Sequence, residues 1–214
     1  MQLHGFFNSS TAWRVRIALA LKGLAVDHHG VNLRAGEQHA DSHRALSPIG
    51  AVPVLVDDDG VALTQSLAII DHLDARYPQP LLIPREALPR ARVLELANLI
   101  ACDIHPLNNL RVLGYLQQRL GVDSEAKAAW YAHWVADGLT ALEVLLRRHD
   151  QGDYCVGDAP TLADCCLVPQ VANAERMGCA LQAYPRVMQV YRHCQAQAAF
   201  IAAAPTRQAD FVSP

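Results

Sequence analysis

The sequence predicts a small α/β domain followed by an all-helical one. Three observations carry that prediction. Residues 1 to 80 alternate short β-type runs with amphipathic helical runs. A proline-rich stretch follows, with Pro78, Pro80, Pro84 and Pro89 marking a linker. Beyond it the apolar periodicity is helical throughout, and no strand pattern occurs. The expected division is residues 1–80, a linker at 81–89, and a helical domain over 90–214.

Each element has its own signal. "QLHGFF" is a short first strand. "TAWRVRIALALKG" carries Trp13, Ile17, Ala20 and Leu21 as a helical stripe that Gly23 ends. "VDHHGVNL" alternates and reads as a second strand, parallel to the first because a helix joins them. "EQHADSHRALSP" is a short helix stopped by Pro48. "VPVLVDDDGVALTQ" is a hairpin, Val54 to Val56 and Val61 to Leu63 around a turn at Asp58-Asp59-Gly60. "SLAIIDHLDARYP" is a helix with Leu67, Ile70 and Leu73 on its apolar face. The order is β-α-β-α-β-β-α, followed by helices near 90–119, 124–149, 161–177 and 186–203. "GDAPTLAD" opens the third of these, with Thr161 and Asp164 spaced as a capping box.

Composition narrows the function. The chain has 214 residues and a net charge of −3, with no basic run longer than two residues, which argues against nucleic acid as a partner. "MQLHGFF" lacks the basic and apolar regions of a signal peptide, and no run of 18 apolar residues occurs, so a cytoplasmic location without membrane contact is expected. Cys102, Cys155, Cys165, Cys166, Cys179 and Cys194 form no C-x-x-C pair and read as reduced core residues. His39 and His43 share an i, i+4 spacing without a third ligand nearby, so no metal is expected.

One stretch asks for chemistry. "NSSTAWRVRIAL" at 8–19 places Ser9, Ser10 and Thr11 together where a helix begins. One hydroxyl suffices for a cap. A helix N-terminus also presents unpaired N–H groups and partial positive charge, a setting that favours an anion. Arg14 and Arg16, inside that helix, are expected to pair with acids in the linker or the second domain.

"SSTAWRVRIALALKG", "ALSPIGAVPVL", "TQSLAIIDHLDARYP" and "GDAPTLADCCLVPQVANAER" resemble, in order and spacing, the zeta-class glutathione transferases. "CDIHPLNNLRVL" is most similar to the bacterial maleylpyruvate-isomerase branch. The resemblance implies a thioredoxin-like βαβαββα domain, an all-helical domain covering the substrate site, a homodimer, and glutathione as cofactor. It implies isomerisation of maleylacetoacetate or maleylpyruvate, small acidic substrates. Ser9 is then the sulfur contact, supported by Ser10 and Thr11, while Phe6 and Phe7 lack the hydroxyl that other classes supply as tyrosine. Thr11 stands where many members carry cysteine. Gln65 and Ser66 match the pair that binds the γ-glutamyl carboxylate, and Ser66 would also cap its helix. Pro53 matches a cis-proline that turns Val52 toward the cysteinyl amide, and Gln38 matches a glycyl contact. From the second domain the resemblance implies Asp103, His105, Asn109 and Arg111 as glutathione contacts, with His105 also catalytic. His105, Asn109 and Arg111 are spaced i, i+4 and i+6 on one expected helix. Asn8, Arg111 and Arg176 would meet the substrate. Asn8 departs from the pattern, since many members carry arginine there, and Ala51 replaces a common glutamine. A transferase or dehalogenase that does not reverse the sulfur addition, and a binding module without turnover, therefore remain alternatives.

Overall fold

The computed structural model describes residues 1–148 and 152–212. The chain divides into two compact units, Met1–Ile83 with Gln195–Pro214, and Pro84–Cys194. By helical pattern alone the segment from residue 195 joins the second domain; the packing of its described residues, 195–212, joins it to the first unit.

The first unit is built on a four-stranded sheet. Its strands are β1 (Gln2–Gly5), β2 (Asp27–Gly30), β3 (Val54–Val56) and β4 (Ala62–Thr64), in the order β2-β1-β3-β4. β1 and β2 are parallel, with Leu3 opposite His28, because α1 (Ser10–Leu21) carries the chain back between them. β1–β3 and β3–β4 are antiparallel, and Val54 faces Thr64 across the hairpin. β1 stops at Gly5, earlier than expected, because Phe6 opens a turn that Ser9 N–H closes onto Phe6 C=O at 2.9 Å. The helix expected from Glu37 is two pieces, a 3₁₀ turn Glu37–His39 and α2 (Asp41–Leu46), separated by extended Ala40.

α1 is buried on every side from Ala12 to Leu19, rather than along one stripe, and Ala20 and Leu21 are only half-buried. It packs on α3 (Ser66–Arg76) and on α9 (Ala198–Ala203), a helix from the far end of the chain. A helix surrounded in this way is apolar all round. Arg14 and Arg16 are the exceptions, and they do not pair with linker or second-domain acids as expected. Arg14 Nη1 donates to Ser66 Oγ at 3.3 Å. Arg16 donates to Ala203 C=O at 3.0 Å and to Phe7 C=O at 2.9 Å, and burial lowers its pKa to about 10. Buried guanidinium N–H groups need acceptors, and backbone carbonyls left over at a helix end and a turn supply them.

α3 buries Ile69, Ile70 and Leu73, while Leu67 is half-buried. The prolines after it are held firmly. Lys22 Nζ sits 2.6 Å from Asp74 and donates to Tyr77 and Pro80 carbonyls, and Asp74 in turn accepts from Leu82 and Ile83 N–H. The Val52–Pro53 and Gln79–Pro80 peptides are cis.

In the second unit the helix expected over 90–119 is a series. α4 (Ala87–Asn98) runs into a π-helical turn Leu99–Ile104, a 3₁₀ turn His105–Asn108, and then α5 (Leu110–Gln118). Pro106 has no N–H to continue the α ladder, and His105 N–H reaches back five residues to Ile100 C=O. The wide turn pushes Ile104 toward α6 (Ser124–Arg148), which meets it with Gly138. A Cβ there would lie 2.2 Å from Ile104 Cγ1. His149, where the sequence pattern ends α6, lies outside the described residues. α7 (Leu162–Arg176) starts as expected: Asp164 accepts from Thr161 N–H and Oγ at 2.8 Å each, and also from Cys155 N–H. The last expected helix is two, α8 (Pro185–Gln195) and α9. The thiols at Cys155, Cys165, Cys166 and Cys194 are buried as expected, but Cys102 is exposed on the π turn.

Candidate functional site

The hydroxyl cluster forms a directed chain. Ser9 caps α1, its Oγ accepting from Ala12 N–H at 3.3 Å. Ser9 Oγ and Thr11 Oγ1 are 2.9 Å apart, and Thr11 Oγ1 donates to Val52 C=O at 2.9 Å. A carbonyl only accepts, so Thr11 has spent its single proton on Val52. Ser9 is therefore the donor in the Ser9–Thr11 contact. The run is Ala12 N–H to Ser9, Ser9 to Thr11, Thr11 to Val52. Ser10 is the first residue of α1 and is 4 % exposed.

The loop that carries Val52 is fixed from below. His43 Nε2 donates to Ala51 C=O at 3.0 Å, and Ser47 Oγ accepts from Ala51 N–H at 3.2 Å. His43 thus serves the backbone; among the described residues no group of three His, Cys, Asp or Glu side chains could hold a metal ion. Gly50, at φ +64°, lets this loop lie against the 3₁₀ turn of Gln38, whose C=O stands 3.0 Å from where a Cβ would be. Gln38 Nε2 donates to His39, while its buried Oε1 has no protein partner. That leaves one acceptor for an amide or ammonium donor.

Gln65 and Ser66 stand where β4 meets α3. Gln65 takes φ +69°, ψ 111°, a conformation that costs a non-glycine residue about 1–3 kcal/mol and is found mostly at functional sites. The strained residue aims the unpaired N–H groups at the start of α3. Ser66 does not cap α3 as expected: the helix begins at Ser66 itself, and its Oγ accepts from Arg14. Two helix N-termini, a cis-proline loop and a buried amide thus belong to one unit. Each suits a different part of an anionic peptide.

Asp103, His105, Asn109, Arg111 and Arg176 lie in the second unit. Asp103 is exposed on the π turn. His105, Asn109 and Arg111 are not on one helix, because Asn109 caps α5 by accepting from Arg111 N–H at 3.1 Å. Asn109 Nδ2 faces His105 Nε2 at 3.4 Å. An amide NH₂ only donates, so His105 Nε2 is the acceptor and Nδ1 carries the proton. Arg111 is exposed, and Arg176 in the last turn of α7 donates to Asn173 Oδ1 at 3.0 Å.

Two features escaped the sequence reading, the C-terminal segment and Arg34. Asp210 Oδ2 accepts from Phe7 N–H at 2.8 Å, and Phe211 packs edge-on to Phe7 at 5.4 Å. The C-terminal segment thereby fastens the turn that leads into Ser9. Arg34 stands over the rings of Phe6 and Phe7, 5.8 and 5.5 Å from their centroids. Neither sits in a periodic run; the only sign of Arg34 is a lone cation between Asn32 and Gly36.

Comparison with known proteins identifies the family. Residues 3–81 match the N-terminal domain of glutathione S-transferases, and residues 128–193 match the C-terminal domain. A probable maleylacetoacetate isomerase of Vibrio cholerae is 48 % identical, each chain being covered over 97 %. A holo structure of maleylpyruvate isomerase, described as a bacterial zeta-class glutathione S-transferase, is 44 % identical with TM-score 0.96, covering 99 % of this chain and all of the other. A maleylacetoacetate isomerase of Methylobacterium extorquens AM1, solved with malonate and glutathione, is 38 % identical with TM-score 0.95 over the whole of both chains.

Proposed function

Because the chain belongs to the zeta-class glutathione transferase family, with its maleylacetoacetate and maleylpyruvate isomerases, we propose that it is a glutathione-dependent cis–trans isomerase of a maleyl keto acid. The observation that carries the reading is the hydroxyl chain from Ser9 through Thr11 to Val52, built at the N-terminus of α1. Ser9 and Ser10 hold the thiol end of glutathione, Val52 beside cis Pro53 takes its central amide, and Gln65 and Ser66 take the γ-glutamyl carboxylate. Gln38 serves the glycyl end. His105, Asn109 and Arg111 are assigned to the same cofactor, and Asp103 to the glutathione of a partner subunit. Glutathione held by these residues would supply the thiol nucleophile for a reversible addition to the cis double bond.

The hydroxyls act mainly by position. Lowering a thiol pKa by about two units from 8.5 raises its ionised fraction about 25-fold at neutral pH, but the weaker nucleophile loses about eightfold. The net gain is about threefold. Holding sulfur and alkene in register is worth effective molarities upward of about 10⁵ M. Charge that develops on the keto acid needs donors of its own, and His105, Arg111 and Arg176 are assigned to it.

The same reading makes the protein a cytoplasmic homodimer; Leu88 on α4 and Leu110 and Tyr115 on α5 are exposed apolar side chains suited to a partner surface. Neutral, half-buried Asn8 favours one other reading, a transferase or dehalogenase acting on small electrophilic acids. Turnover of maleylpyruvate or maleylacetoacetate with the glutathione thiol titre unchanged is the expected result. Stoichiometric loss of thiol would select the transferase.

A further inference from the structure

We infer that Arg34 receives one carboxylate of the acidic substrate, in a subsite formed by the Phe6–Phe7 turn, the segment after β2 and the C-terminal tail. The inference rests on the isomerase reading for its substrate class. A cavity of about 330 Å³ opens beside that turn, lined among others by Phe6, Phe7, Val31, Arg34 and Asp210. That volume is at the lower end for small-molecule sites. Its walls combine aromatic faces with one guanidinium, the pairing expected for a short unsaturated acid.

The charges at the cavity are not equivalent. Asp210 is engaged by Phe7 N–H, and Glu37, also on the wall, accepts from Asn32 N–H at 2.6 Å. Both carboxylates fasten loops. Arg34 is exposed, and among the described residues it is joined to no carboxylate. Stacking on two rings holds the guanidinium in place and leaves its N–H edge available, which suits two-pronged carboxylate binding. The neighbouring arginines cannot do this: Arg14 and Arg16 are 2 % and 5 % exposed, and Arg16 is committed to carbonyls. Asn8, next along the turn, carries no charge. Arg34 supplies, from the segment after β2, a positive charge that the turn itself lacks.

The test compares wild type, Arg34→Ala and Arg34→Lys. Steady-state kinetics are measured with maleylpyruvate and with a neutral electrophile at fixed glutathione, and malonate binding is measured by calorimetry in the presence of glutathione. For Arg34→Ala the ratio of kcat/KM for the diacid to that for the neutral electrophile should fall about tenfold, through KM. Malonate Kd should rise by a similar factor, and Arg34→Lys should recover part of both. A ratio and a malonate Kd within twofold of wild type overturn the subsite. So does a variant whose defect is a raised KM for glutathione, since Arg34 would then serve the tripeptide. A wild type that turns over no maleyl keto acid removes the functional reading instead, and the malonate arm then decides the subsite by itself.

Discussion

At the scale of single residues, the site turns on where two hydroxyl protons point. Thr11 gives its proton to Val52 and draws that of Ser9. A bound thiolate must therefore compete with Thr11 for the Ser9 hydrogen. A neutral hydrogen bond is worth about 0.5–1.5 kcal/mol, which corresponds to about half to one pKa unit. Thr11→Val should lower the pKa of the bound thiol by about that amount, read from the ultraviolet absorbance of the thiolate. Ser9→Ala should raise it and reduce turnover at least tenfold. A raised thiol pKa in Thr11→Val would make Thr11 the sulfur donor. The identities of these residues were legible in the sequence because hydroxyls crowd a helix start; their order of donation was not, since it depends on Val52 C=O, which is 41 residues away from Thr11.

Elements were legible where local signals agree. Gly23 ends α1, the hairpin forms around Gly60, and Thr161 with Asp164 opens α7. The long helix after the linker was misjudged because one residue, Pro106, turns a continuous periodicity into three kinds of helix. Strand β2 has its own vulnerability. His29 stacks on His4 of β1, with ring centroids 4.8 Å apart. Burial first, then His29 and His43, hold the His4 pKa below its ordinary value, and burial and Arg16 do the same to His28. A lowered folded-state value means that the unfolded chain takes up protons first. Stability is therefore complete above about pH 6.5 and is lost as pH falls from there toward the folded-state values. Urea unfolding at about pH 7.5 and pH 5.5 should show the decline, and His4→Gln should flatten it. An unchanged slope in that variant would place the proton uptake elsewhere.

At the scale of the whole molecule, the two-part plan was legible from the change of periodicity at the prolines, and the homodimer of the functional reading can be weighed directly. Sedimentation equilibrium at micromolar concentration should give about twice the 23.4 kDa chain mass. A single-chain mass would remove the dimer and Asp103 as a contact reaching a partner's cofactor. The destination of the last helix was not legible, because α9 is short and its apolar residues say only that they are buried, not against what. Its position beside α1 has a consequence for how the protein is made. Ribosomes deliver the N-terminus first, and domains usually fold in that order. Here Arg16 finds Ala203, and Phe7 finds Asp210, only after the segment around residues 203–210 has been made. The turn before Ser9 is thus synthesised long before the segment that locks it, so a chain stalled or clipped ahead of that segment carries the serines without the fastening that shapes them.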